Sequence, residues 1–205
     1  MAIFIAALTA AVLYAVFFLV PPAVGLGNLV RIAFFHIPMA WVSVLAFFMS
    51  AWWAAGYLRR RDLQADALSA ASARLGFVFV LLATVSGAVF ARLTWGAWWN
   101  WDPRQTTIFV LLLLYGAYLT LRAVVPDAQR RARVSAVYSL LSCLSVPFLV
   151  FVLPRFYFSL HPSPLIQSGG RVDMDPVMLA VLAAGLVDVT CIYFWLLFRQ
   201  RRENP

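Results

Sequence analysis

The chain has 205 residues, 64% of them hydrophobic and 12% charged, with a net charge of +8. Soluble domains run nearer ~45–50% apolar and ~25% charged, so an ordinary soluble domain is excluded and an all-α integral membrane protein is expected. All sixteen basic residues are arginines clustered at the ends of apolar runs, a placement that membrane topology explains better than nucleic-acid binding.

A spanning helix needs about 20 apolar residues, and six runs qualify: Ile3 to Val20, Leu29 to Leu58, Leu75 to Leu93, Thr106 to Leu121, Val134 to Leu153 and Val177 to Phe198. The first has no basic stretch ahead of it and no clear cleavage site, so it reads as a retained span. Val20-Pro21-Pro22 stops it, and Gly25, Gly27 and Asn28 fill the turn that follows. The second run is long; as helix it would reach ~45 Å, beyond the ~30 Å hydrocarbon core. Twenty or so residues back from Leu58 is Met39, which sets His36 one turn into the interface, with Pro38 expected to kink the helix nearby. Spans three and four flank a short loop from Thr94 to Arg104. Span five is followed by a long loop from Arg155 to Asp175, where Pro162 and Pro164 favour an extended backbone after His161. Span six carries Asp188. Cys143 and Cys191 lie inside apolar runs without CxxC, CxxCH or zinc spacing, and read as small buried hydrophobes. The whole chain, 1–205, is expected to form a single six-span membrane domain.

Arginines sort the loops. Arg59, Arg60, Arg61 and Arg74 flank the second loop, Arg122, Arg130, Arg131 and Arg133 the fourth, and Arg199, Arg201 and Arg202 follow the last span. The opposite side holds only Arg31, Arg92, Arg104, Arg155 and Arg171. Under the positive-inside rule both termini are cytoplasmic, and the Thr94–Arg104 and Arg155–Asp175 loops face outward.

The Thr94–Arg104 loop carries Trp95, Trp98, Trp99 and Trp101, four of the eight tryptophans. Trp41, Trp52, Trp53 and Trp195 fit an interfacial aromatic belt; four indoles in seven positions instead suggest a platform for a large flat ligand. As helix, Trp95, Trp98, Trp99 and Asp102 would share a face; as extended chain, Trp95, Trp99 and Trp101 would. Asp102, Pro103 and Gln105 have the pattern of N-cap, N1 and N3 of the fourth span. Arg104 then sits at a helix start, where an anionic partner such as a haem propionate would relieve the dipole. His36 and His161 are the only histidines, and both fall on the outward side. Either alone is commonly a hydrogen-bonded surface residue; together they could supply two axial ligands to one haem iron.

Trp95-Gly96-Ala97-Trp98-Trp99-Asn100-Trp101-Asp102 with Arg104 resembles the "WWD" signature of the haem-handling proteins of cytochrome c biogenesis. Phe35-His36-Ile37-Pro38, and His161 after Val146-Pro147, are similar to the two external histidines of that superfamily. Six spans and two histidines single out the haem exporter protein C family; larger relatives that ligate haem to apocytochrome c have more spans and intramembrane histidines. The resemblance implies metal ligation by His36 and His161. It implies binding of haem b against Trp95, Trp98, Trp99, Trp101, Asp102 and Arg104, with Arg31, Arg92, Arg155 or Arg171 as further propionate partners. It also implies a multi-pass protein of the bacterial inner membrane that presents haem on the periplasmic side to a periplasmic haem chaperone. By the same resemblance, ABC-transporter subunits and a small single-span protein would complete the complex; the chain itself has no nucleotide-binding motif, so any ATP coupling comes from elsewhere. The role the resemblance implies is that of a haem-transfer or transport component rather than a classical enzyme. Two other readings stand beside it. One is an apocytochrome c haem ligase or quinone-linked redox protein of the same superfamily. The other is a small-solute transporter resting on Asp188, for which a structural hydrogen bond to Thr190 or to a serine of another span is the alternative.

Overall fold

The computed structural model describes residues 1–161 and 174–203, with side chains through Arg199; Pro162, Pro164 and Arg171 lie outside the described residues. Among the described residues, six helical segments are long and apolar enough to cross a bilayer; they are built on α1 (Ala2–Tyr14, continued as helix to Leu19), α2 (Ala33–Arg60), α3 (Leu63–Trp95), α4 (Pro103–Val124), α5 (Ala128–Pro147) and α6 (Pro176–Glu203). α2 is central and packs on α3, α5 and α6; α4 lies against α3 and α5, and α1 leans on α6.

Most of the helices begin earlier than hydropathy alone places them. The largest gap is in α3, which starts at Leu63 instead of Leu75. Leu63 to Arg74 reads as too polar for a span, yet Ala65, Asp66, Leu68 and Ser69 are buried. Asp62 caps the helix by accepting from the Gln64 N–H at 2.9 Å. Within this first part of α3, Asp66 makes a bidentate ion pair with Arg122 of α4, at 2.7 and 2.8 Å. At 1.5 Å per residue, α2 and α3 are about 42 and 50 Å long, so both project beyond a ~30 Å core.

Close packing depends on one glycine in the middle of α3. A Cβ at Gly76 would sit 2.6 Å from the Phe47 ring of α2, which stacks in turn on Tyr115 of α4 with centroids 3.5 Å apart. These rings anchor a core with Val44, Val80, Leu111 and Val146. A second core joins α1, α2 and α6 through Val12, Val16, Phe34 and Leu182. There Pro38 offers no N–H to the Phe34 carbonyl one turn back. Gly185 of α6 packs against that carbonyl, at 3.5 Å from an added Cβ.

Irregular turns fall where proline or glycine dictates. α1 loosens into a π-type turn, Ala15–Leu19, and Val20 is extended before Pro21. The turn that follows uses Gly25 and Gly27 at φ 77° and 54°. A tight 3-10 turn over Asn28–Ile32 leads into α2. α5 widens into a π-type turn at Phe148–Val152, directly after Pro147, and tightens over Leu153–Arg155. Asp188 of α6 accepts a hydrogen bond from the Thr9 hydroxyl of α1 at 2.9 Å, while Thr190 bonds its own helix at Leu186. The partner of Asp188 is thus Thr9 of another span, not Thr190 and not a serine as the sequence suggested. Cys143 and Cys191 are free thiols and only partly buried.

Candidate functional site

The Trp95–Arg104 loop joins α3 to α4 at the end of the bundle opposite the arginine-rich turns. α3 ends at Trp95 because Gly96 turns left-handed, φ 81°, and the Arg92 guanidinium caps the Gly96 carbonyl. Trp101 is also left-handed, φ 55°. Two such turns in six residues break both periodicities, so the loop is neither helical nor extended, and the tryptophans do not form one regular face. They form two edge-to-face groups instead. Trp95 meets Phe90 at 5.7 Å and His161 at 5.0 Å, while Trp99 meets Trp101 at 5.8 Å and Phe109 at 6.0 Å. Trp98 and Trp101 present most of their surface outward, 59% and 74% exposed.

Asp102 is the expected cap of α4, its Oδ1 accepting from the Arg104 N–H at 2.9 Å. It does more than cap. Its Oδ2 accepts from the Ser159 hydroxyl at 2.9 Å and the Leu160 N–H at 2.7 Å, and His161 Nδ1 lies 2.9 Å from Oδ1. The segment after α5 is thus pinned to the start of α4 by one buried carboxylate. Gln105, expected to close a capping box, reaches further back. Its Oε1 accepts from the Asn100 N–H at 2.9 Å and its amide points at the Trp98 carbonyl.

Burial raises the Asp102 carboxyl, but the Arg104, Ser159 and Leu160 donors, with His161, more than offset this and hold it below the usual carboxylate range. Burial pushes the His161 imidazole down to about 4, helped by the charges of Arg104 and His36 and opposed by Asp102. His161 is therefore neutral at pH 7. The contact to Asp102 is an N–H to carboxylate hydrogen bond, not an ion pair, and the two histidines lie within electrostatic reach of each other.

His36 comes from the first turn of α2, with about 36 Å of helix between it and Arg60. Its ring packs against α3, where a Cβ at Gly87 would fall 2.9 Å from Cε1. Nδ1 is 2.9 Å from the Ala83 carbonyl and 3.2 Å from the Ser86 hydroxyl. A carbonyl only accepts, so Nδ1 carries the proton. The same logic holds at His161, whose Nδ1 faces a carboxylate. Both imidazoles are thus fixed as Nδ1–H tautomers, and neither Nε2 has a hydrogen-bond partner among the described residues. A neutral ring whose second nitrogen donates to an oxygen is the arrangement metal-ligating histidines adopt. Ser86, Gly87 and Ser159 were not visible as site residues in the sequence. A serine and a glycine inside a span read as ordinary helix packing, and Ser159 is marked only by standing two places before a histidine. Arg104 and Arg155 feel each other's charge next to Asp102. Arg31 and Arg92 lie at this same end, and among the described residues Arg155 forms no ion pair with a carboxylate.

The architecture and this cluster define a six-span helical membrane protein with two oriented imidazoles beside an aromatic loop. The family model of heme exporter protein C matches residues 1–204, and the chain belongs to that family. Among its relatives, heme exporter protein C of Bradyrhizobium diazoefficiens is 30% identical over 80% of this chain and 64% of its own length. The protein of the same name from Paracoccus denitrificans is 33% identical over 88% of this chain and 73% of its own length. A 57-residue stretch, 28% of this chain, is 49% identical to cytochrome c biogenesis protein CcsA of Prochlorococcus marinus strain MIT 9312, where it covers 18% of the protein.

Proposed function

We propose that this protein acts in cytochrome c maturation, holding haem b as cargo on the periplasmic side of the bacterial inner membrane and passing it to a periplasmic haem chaperone. The single observation that carries this reading is the pair of Nδ1-locked imidazoles, which leaves two Nε2 lone pairs for an axial bond to iron. His36 and His161 are the proposed ligands. Trp95, Trp98, Trp99 and Trp101 supply aromatic surface for the macrocycle, Asp102 orients His161, and Arg104 and Arg155 are the proposed propionate partners. The arginine asymmetry supports cytoplasmic termini and an outward-facing site. ABC-transporter subunits and a small single-span protein are the proposed companions within the membrane lipid.

The test is the optical spectrum of the full chain purified with its chaperone. The wild type is expected to show a low-spin bis-histidine haem signal that a His36→Ala, His161→Ala double variant lacks. An unchanged signal in the double variant removes the proposal and favours a ligase-type site elsewhere. The Asp188–Thr9 bond supports a structural role for that carboxyl over the transporter reading; solute flux in liposomes that vanished in Asp188→Asn would reverse this.

A further inference from the structure

At the other end of the bundle, α2 and α3 meet in a tight turn and leave a groove of about 240 Å³ beside it. Its walls include Trp52, Trp53, Gly56, Arg59, Arg60 and Asp62. Three features distinguish it from ordinary helix surface. First, Arg59 and Arg60 are exposed in the last turn of α2 and neither pairs with a carboxylate among the described residues. The adjacent Arg61 is drawn away over the Tyr57 ring, and Asp62 uses Oδ1 to cap α3. Second, the Trp53 indole N–H is buried without a partner, which a folded protein tolerates poorly. Third, Gly56 leaves the groove floor open, with nothing nearer than Ala65 at 3.9 Å from an added Cβ.

We propose that this groove binds the headgroup of one anionic phospholipid. Two guanidiniums against one carboxylate leave a single net positive charge, which matches a singly charged phosphodiester such as phosphatidylglycerol. The Trp53 N–H, buried in the lipid-free chain, becomes a donor to a phosphate or ester oxygen when its ring turns toward the groove, and the 71% exposed Trp52 indole lies where an acyl chain would run. The volume falls below the ~300–1,000 Å³ of pockets for drug-sized ligands, which suits a headgroup. The C-terminal dipole of α2 repels an anion here, and the N-terminus of α3 beside it offsets that repulsion. Nothing in this groove depends on haem.

The experiment uses the full chain, delipidated in a neutral detergent. It is titrated with short-chain phosphatidylglycerol, with phosphatidylcholine of the same chain length, and with inorganic phosphate. Tryptophan fluorescence follows binding, and native mass spectrometry counts retained lipid. One phosphatidylglycerol is expected to be retained, with phosphatidylcholine and inorganic phosphate at least tenfold weaker. Arg59→Gln with Arg60→Gln is expected to weaken binding roughly 30-fold. Trp53→Phe should weaken it several-fold, and Arg130→Gln, an exposed arginine at the same end outside the groove, should not. Equal retention of phosphatidylcholine overturns the proposal, as does unchanged binding in the arginine double variant. Inorganic phosphate competing as well as the lipid also overturns it, by reducing the site to an anion site. Should the double variant fail to fold, unaltered binding in Trp53→Phe overturns the proposal in its place.

Discussion

Asp102 is the position at which helix capping, loop docking and histidine orientation meet, so its removal has a calculable consequence. Asp102→Ala deletes an N-cap, worth about 1 kcal/mol. It also removes the charged acceptor of two loop hydrogen bonds, worth about 1.5–3 kcal/mol each when shielded. The loop carrying Ser159 and Leu160 is partly exposed, which lowers its share. About 3 kcal/mol of local stabilisation is then lost, about 2 kcal/mol of it from the loop contacts, so the docking equilibrium of the loop weakens roughly 30-fold. Under the proposed function, haem affinity falls by about 10–100-fold, the range seen when an orienting partner of a metal-bound histidine is removed. Asp102→Asn separates the contributions. Asparagine caps a helix as well as aspartate does, but its single carbonyl oxygen cannot serve both the Arg104 N–H and the loop. Its melting temperature should stay within about 3 °C of wild type, while haem retention drops about tenfold. The assay is haem loss to a competing apo-protein, read beside a thermal melt. Retention within twofold of wild type in Asp102→Ala, with the low-spin band intact, would refute the view that this carboxylate holds His161.

Three further outcomes follow from the geometry. Gly87→Ala puts a methyl 2.9 Å from His36 Cε1, so the ring must leave the α3 surface; the haem spectrum should shift from low to high spin, whereas Ser86→Ala, which leaves the Ala83 carbonyl, should change little. The haem-free protein should lose stability as pH falls. The His161 imidazole is depressed from 6.5 to about 4, so its contribution is full above pH 6.5 and declines toward pH 4, by on the order of 3 kcal/mol at most. Thermal melts across that window should show the decline, and His161→Gln should flatten it. Asp66→Ala leaves the Arg122 guanidinium largely buried without its bidentate partner, and should destabilise the protein by about 2–4 kcal/mol in a detergent melt; a loss below about 0.5 kcal/mol would mean the pair is effectively solvated.

Hydropathy made the six spans and their order legible because a bilayer leaves the backbone few alternatives. It could not place the start of α3, because Asp66 and Ser69 are polar residues made tolerable by neighbours on other helices. For Asp66 that neighbour is Arg122, 56 positions away; for Ser69 it is Ser50 on α2. The cap at Asp102 was legible for the opposite reason: Asp-Pro-x-Gln carries its explanation within four residues. The tryptophan arrangement was not, because two left-handed residues, Gly96 and Trp101, remove the periodicity on which any face assignment depends. The donor to Asp188 was not legible either, because it is Thr9, 179 positions away.

The histidines show the same division. Their residue type and their shared end of the bundle can be read from the chain, but ligand chemistry depends on which nitrogen carries the proton. That is set at His36 by the Ala83 carbonyl and at His161 by Asp102, acceptors on other segments. Any buried imidazole N–H needs an acceptor; here two unrelated acceptors select the same tautomer and leave Nε2 without a hydrogen-bond partner among the described residues in both rings. The coupling also runs in reverse. Asp102 ties His161 to the first turn of α4 and, through Ser159 and Leu160, to the end of α5. Iron bound at Nε2 would therefore stabilise the docked loop by the same free energy with which the docked loop favours iron. Under the proposed function, release to a partner need not break the ligand bond first. Competing for the Asp102 contacts, and so freeing the Ser159–His161 segment, would lower haem affinity from a distance of one hydrogen bond.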